Sequence, residues 1–172
     1  LKNYKDFLRQ VKSTAEHTWS LLLSIARNLH PAIENTKNSG IWDRKPYLAD
    51  ELDTKTLGII GYGRLGKIVA DYGRVFGMQV LVNDLDEGAF IGKPDDVIQS
   101  GLTDLLQKSD YIVLLISWSK ENINFINASK LSLLKKSAYL INNDKSAKVL
   151  KKISGLKWAM KGVSRRPAAQ TA

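Results

Sequence analysis

The chain reads as an α/β protein built on a doubly wound parallel sheet and preceded by a long buried helix. Three observations carry that reading. Residues 55–67 (KTLGIIGYGRLGK) pass from a short apolar strand through a glycine-rich turn into the start of a helix. Asp84 stands eighteen residues past Gly66, at the end of a second apolar run of Val80, Leu81, Val82 and Asn83. The stretch from Tyr111 to Ile116 is unbroken in its apolarity, as strands buried on both faces of a parallel sheet are.

In chain order, residues 1–12 are polar and mixed, with Phe7, Leu8 and Val11 as packing candidates. Ser13 or Thr14 is placed to cap a helix whose first turn holds Glu16. Its apolar positions are Ala15, Trp19, Leu22, Leu23, Ala26 and Leu29, broadened by Leu21 and Ile25. So wide an apolar surface is expected to be covered by another domain or subunit. Pro31 is expected to end this linking helix (about 14–30), with a second piece from Ala32 to Asn38 and a stop at Asn38-Ser39-Gly40. His17 has no second histidine four residues away, so a structural hydrogen-bonding role is expected of it. His30 is expected on the surface near the negative end of the helix dipole.

After strand 56–60, a helix is predicted with Leu65, Ile68, Val69, Tyr72, Val75 and Phe76 on its inner face and Gly77 at its end. Strand 79–84 follows, then a loop over 88–96, with 95–100 unassigned. Thr103 is read as the cap of a short helix to Lys108. A further helix starts near Asn127 with Leu131, Leu133 and Leu134 inward, and a last strand covers 138–142. This alternation is the doubly wound plan, whose ligand crevice lies beyond the carboxyl ends of the strands. On that rim stand Gly61 to Gly66, Asp84, Ser117-Trp118-Ser119 and Asn143-Asp144-Lys145.

Gly-x-Gly-x-x-Gly between a strand and a helix, with an acid at this distance, is the Rossmann dinucleotide fingerprint. Gly61 permits the turn, Gly63 lets a pyrophosphate approach the backbone, and Gly66 lets the helix pack closely on the sheet. Asp84 would accept hydrogen bonds from a ribose. Asp86 and Glu87 follow with no base nearby, which favours NAD over NADP.

Composition narrows the classes. Hydrophobic and charged shares of 44% and 25% are ordinary for a globular domain. With no cysteine and only two histidines, no disulfide framework, thiolate site or histidine-rich metal site is expected. No apolar run reaches a membrane span and no signal pattern opens the chain, so a cytoplasmic location is expected. Leu1 in place of Met hints at residues missing upstream. The net charge of +9 is not spread evenly: residues 1–144 hold 18 Lys/Arg against 17 Asp/Glu, whereas 145–172 hold eight bases and no acid. That tail is read as solvated, divergent or disordered rather than as a nucleic-acid-binding element, for want of any recognition motif.

The chain resembles the D-isomer-specific 2-hydroxyacid dehydrogenases, the phosphoglycerate dehydrogenase group. The residues that carry the resemblance are 14–23 (TAEHTWSLLL), Gly40-Ile41-Trp42, the run 55–66, 76–81, 105–110, Phe125-Ile126-Asn127 and 138–142, in family order. The resemblance implies NAD as cofactor, a homodimer built through the nucleotide-binding domain, and a small 2-hydroxy or 2-keto acid as substrate. It implies that Arg64 and Leu65 bind the pyrophosphate and Asp84 the ribose. Ile116, Ser117 and Asn122 would lie along adenine and ribose, and Asn143 and Asp144 would approach the nicotinamide. It divides the chain into an NAD-binding domain over 1–145 and the tail 146–172, with the substrate domain mostly absent.

The chain departs from the family pattern in three places. Ser117 stands where a proline is usual. Asn143-Asp144-Lys145-Ser146 stands where the family has Thr-Ala-Arg-Gly, so Lys145 occupies the catalytic arginine's place with the charge but without the two-toothed fork. Residues 146–172 contain neither the histidine nor the glutamate the family uses for proton transfer. A truncation, a shifted reading frame or a degenerated copy would each account for this. Two functional readings follow: the NAD-binding domain of such an oxidoreductase, short of full catalytic machinery, or a non-catalytic relative with a regulatory or interaction role. A methyltransferase on the same plan leaves 14–23 and 125–142 unexplained.

Overall fold

In a computed structural model, the structure describes residues 11–40, 45–117, 119–142, 158–160 and 163–165. Two helices come first, α1 (Ser13–Ala26) and α2 (Leu29–Ser39). They are followed by β1 (Thr56–Ile60), α3 (Arg64–Val75), β2 (Gln79–Asn83), β3 (Val97–Gln99), α4 (Leu102–Lys108), β4 (Tyr111–Leu114), α5 (Ala128–Ser132) and β5 (Tyr139–Asn142). Short strands β6 (Trp158–Met160) and β7 (Val163–Arg165) close the list. The sheet order is β3-β2-β1-β4-β5-β7-β6, parallel from β3 to β5. β7 then pairs antiparallel with β5, and β6 antiparallel with β7. The sequence of the tail predicts no element, yet these six residues extend the sheet.

The period of two along each strand splits the core into two layers. Leu57, Ile59, Val80, Val82 and Val113 face α1 and α3. Ile60, Leu81, Ile112, Leu114 and Leu140 face the other way, onto Leu105, Leu106, Ile126 and Leu134. Every residue of β4 is buried, as its unbroken apolarity requires. β3 falls within the unassigned stretch 95–100; only Val97 of its three residues is buried, which left too short a pattern to read.

Several expectations are corrected at the helices. Neither Ser13 nor Thr14 caps α1: Lys12 holds that position without a side-chain bond. The break between the first two helices falls at Asn28, in the left-handed conformation (φ 50°), and not at Pro31. Pro31 sits in the first turn of α2, where its missing N–H removes no helical bond. His30 therefore lies in the first turn, toward the positive end of a dipole rather than the negative one. His17 is exposed and has no hydrogen-bond partner among the described residues. The stop at Gly40 is as read, with φ 65° and its N–H donated to Thr36 O.

The broad apolar face of α1 is covered by the chain's own α3 and sheet, not by a separate domain. Trp19 stacks at a tilt against Tyr72 (5.8 Å) and Phe76 (5.1 Å). α3 is accordingly two-sided. Gly66, Val69, Ala70 and Gly73 face the sheet, and Leu65, Ile68 and Tyr72 pack toward α1. Val75, predicted inward, is 84% exposed: at 3.6 residues per turn it lies opposite Gly66 and Gly73, on the face turned away from the sheet. Gly101, not Thr103, caps α4. Asn127 caps α5, its side chain accepting from Lys130 N–H.

Two predictions arise from this core. Ser109 is fully buried and its hydroxyl has no hydrogen-bond partner among the described residues. A buried unsatisfied hydroxyl costs stability, so Ser109→Ala is expected to stabilise the fold by about 1 kcal/mol in urea unfolding. A loss of stability on that change would show that the hydroxyl has a partner. Burial, then the neighbouring Tyr139 and Asp110, push the Tyr111 phenol up to about 12. The folded value lies above the unfolded one of about 10, so the folded state holds this proton more tightly. That stability is complete below about pH 10 and is lost as pH rises toward 12, by about 2 kcal/mol. Tyr111→Phe is expected to remove this alkaline component from the pH–stability curve, and an unchanged curve would contradict it.

Candidate functional site

The strand order reverses between β1 and β4, and a crevice of about 450 Å³ opens beyond their carboxyl ends. Gly61 forms its floor. It leaves β1 at φ 98°, donating its N–H to Asn83 O (2.8 Å), and passes so close to the exit of β4 that a Cβ would stand 2.8 Å from the Leu115 carbonyl. Gly66, one turn into α3, lies against the same segment: its Cβ would meet Gly61 O at 2.2 Å. Gly63 differs from both. A Cβ built there meets nothing within 4 Å, so the backbone at the head of α3 is open to an approaching group. No side chain caps that helix, which leaves its first-turn N–H groups and partial positive charge available to an anion.

Asp84 follows the end of β2 and lines the crevice. Its Oδ2 accepts the Tyr62 N–H (2.6 Å) and its Oδ1 accepts the Asp86 N–H (3.0 Å). The carboxylate thus ties the glycine turn to the loop after β2. Asp86 is fixed in turn by accepting the Gly88 N–H (2.9 Å). Across that loop Phe90 stacks on Tyr62 with centroids 5.9 Å apart, and burial pushes the Tyr62 phenol above its ordinary range. Among the described residues that line the crevice, Asp84 carries the only charge; the walls are largely apolar, from Leu85, Leu102, Leu115, Ile116 and Phe125.

The far lip runs from Ile116 to Phe125. Asn122 donates its side-chain N–H to Ser117 O (2.8 Å), bracing the lip from within. Lys130 donates to Phe125 O and lies 4.3 Å from that ring's centre, holding it against the crevice. The Ser119 hydroxyl donates to Glu121 and lowers its pKa.

Of the residues read as cofactor contacts, Gly61, Gly63, Asp84, Ile116, Ser117 and Asn122 come together around this one crevice. Arg64, Leu65 and Gly66 form the first turn of α3 beside it. Leu65 packs into the core, and the Arg64 guanidinium donates to Val11 O at the entry to α1. Asn143, Asp144 and Lys145 lie outside the described residues, as do Phe7, Leu8, Ile41, Trp42 and Trp118. Leu102 was missed as a wall: it follows Ser100-Gly101, and only the exit of β3, tied by the Asn83 side chain to Ser100 O (2.8 Å), carries it to the crevice. Among the described residues no group of three or more His, Asp and Glu is placed to hold a metal ion. Nor is any helix there long and apolar enough to cross a membrane.

Comparison with known proteins agrees with this geometry. Residues 19–149 match the D-isomer specific 2-hydroxyacid dehydrogenase, NAD binding domain. Among curated relatives, the glyoxylate reductase of Thermococcus kodakarensis is 37% identical over 137 residues, 76% of this chain and 41% of that protein. The D-3-phosphoglycerate dehydrogenase of Synechocystis is 34% identical over 76% of this chain and 23% of its own length. Among solved structures, a D-lactate dehydrogenase from Aquifex aeolicus complexed with NAD and lactic acid superposes with a TM-score of 0.68 at 36% identity. It is covered over 39% of its length, and 76% of this chain takes part. The chain thus spans less than half the length of these relatives. An open glycine turn, an acid after β2 and a sequence match over most of the chain converge: the protein belongs to the D-isomer specific 2-hydroxyacid dehydrogenase family, through its NAD-binding domain.

Proposed function

We propose that the crevice between β1 and β4 holds NAD through the residues that line it, and that the parent oxidoreductase interconverts a 2-hydroxy acid and its 2-keto acid. The observation that carries the reading is Asp84, the one charge among the described residues of the lining, held by two backbone N–H groups beside the open backbone of Gly63. Gly63 and the first-turn N–H groups of α3, including those of Arg64, Leu65 and Gly66, would take the pyrophosphate. Asp84 would take the adenosine ribose, and Leu85, Leu102, Ile116 and Phe125 would enclose the base, with Ser117 and Asn122 along the lip. When bound, NAD supplies the hydride acceptor or donor of the reaction. Asp84 repels a second phosphate on that ribose, which supports NAD over NADP.

Proton transfer needs a group that titrates near neutrality, and residues 146–172 offer no histidine or glutamate. Lys145 would hold the substrate carboxylate as a point charge only. This chain alone is therefore proposed to bind cofactor with little or no turnover. The NAD-binding domain is proposed to occupy residues 1–145 in a cytoplasmic homodimer, a reading supported by the family resemblance and by exposed Leu29 and Ile33 on one face of α2. Titration calorimetry with NADH is expected to give a dissociation constant between micromolar and millimolar. No heat at millimolar NADH would defeat the proposal. The second reading, a non-catalytic relative, is favoured by Lys145; hydroxyacid-dependent NADH formation by the full-length parent would defeat it.

A further inference from the structure

A second cavity, of about 260 Å³, lies at the opposite end of the sheet, under the amino ends of β1, β4 and β5. Its apolar wall comes from Ile25 and Ala26 at the end of α1 and from Leu48; its polar wall holds Asp50, Lys55 and Asp110. Tyr111 lines it with its ring stacked on Tyr139 (5.6 Å, 11° between planes). Tyr111 is only 8% exposed, and its hydroxyl has no hydrogen-bond partner among the described residues. That hydroxyl is not sealed in the core as Ser109's is, so it opens on the cavity. Buried polar groups are almost always satisfied, and one left free toward a cavity points to an occupant.

The charges around the cavity define what that occupant is. Lys55 pairs with Asp50 at 2.5 Å. Asp110 pairs with Lys135 at 2.9 Å through one oxygen and accepts the Thr56 N–H at 2.9 Å through the other. Among the described residues the two anions of the wall are each paired, Asp50 with Lys55 and Asp110 with Lys135 behind the wall, so the wall has no net pull on a simple anion or cation. It offers instead a positive and a negative group side by side, with an apolar wall next to them. Sites for drug-sized ligands run to about 300–1,000 Å³, so this volume suits something smaller. We propose that this cavity binds a small zwitterionic amino acid. Its carboxylate accepts from the Tyr111 hydroxyl and Lys55, its ammonium donates to Asp50, and its side chain lies on Ile25 and Leu48. The site shares no lining residue with the crevice at the other end of the sheet, and the proposal does not rest on cofactor binding.

The test is an amide chemical-shift titration of the whole chain with L-alanine and L-leucine, and with acetate, methylammonium and glycerol as separate probes. The expected result is a saturable shift at Lys55, Tyr111 and Ser137 with millimolar affinity for the amino acids, several-fold tighter than for acetate or methylammonium. Gly61 to Gly66 should not move. Tyr111→Phe keeps the ring and should weaken binding about tenfold, the loss of one hydrogen bond to a charged group. Lys55→Met, at the cavity's rim, should do the same. No saturable shift with either amino acid, equal affinity for acetate or glycerol, or unchanged affinity in both variants would each overturn the proposal.

Discussion

Gly66→Ala and Gly63→Ala are expected to fail in opposite ways. At Gly66 the added methyl would stand 2.2 Å from the carbonyl oxygen of Gly61, a residue already held by its N–H bond to Asn83 O and by its close approach to Leu115. Either α3 shifts outward or the turn distorts, and overpacking of this kind costs about 3 kcal/mol. For a domain of this size that lowers the melting temperature by roughly 6–12 °C. At Gly63 the methyl meets no atom within 4 Å and φ is −73°, so the fold should keep its stability to within about 0.5 kcal/mol. The methyl would instead occupy the space through which the pyrophosphate reaches the backbone, and NADH affinity should fall about tenfold or more. Melting curves and calorimetry on the two variants separate the roles. A Gly63 variant that binds NADH normally would remove that backbone from the site.

Asp84→Ala is expected to weaken NADH binding by about 1–3 kcal/mol, the range for losing a charged acceptor. Part of the loss is indirect. Without the carboxylate, the N–H groups of Tyr62 and Asp86 lose their acceptor, and the glycine turn loses its tie to the loop after β2. Stability should therefore fall as well, by about 1 kcal/mol. Asp84→Asn retains an acceptor oxygen and should fall between the two, while narrowing the preference for NADH over NADPH by removing the charge. Unchanged NADH affinity in the alanine variant would take Asp84 out of the site.

The glycine turn and Asp84 were legible in the sequence because each glycine answers a local constraint: a positive φ at 61, an open face at 63, a close contact at 66. The central strands were legible for a similar reason, since burial on both faces leaves no charged residue in β4. Features set by tertiary contact were harder to read. The inner face of α3 is made of small residues, Gly66, Ala70 and Gly73, which an apolar stripe does not reveal, and Val75 was misplaced as a result. Pro31 looked like a helix breaker, but its place in a first turn depends on Asn28 taking a left-handed conformation just before. The wide apolar face of α1 was visible; that α3 and the sheet of the same chain cover it was not. The lower cavity draws on α1, the segments 48–55 and 110–111 and the entry to β5, so no single stretch announces it.

The central claim is that a cofactor binds at one place, the crevice where the strand order reverses, and an amide chemical-shift map of the chain titrated with NADH tests it most directly. The account predicts saturable shifts at Gly61, Gly63, Arg64, Asp84, Leu85, Leu102, Ile116 and Asn122, with Lys55, Tyr111 and Ser137 unmoved. Shifts confined to the opposite end of the sheet, or no shift at millimolar NADH, would contradict it.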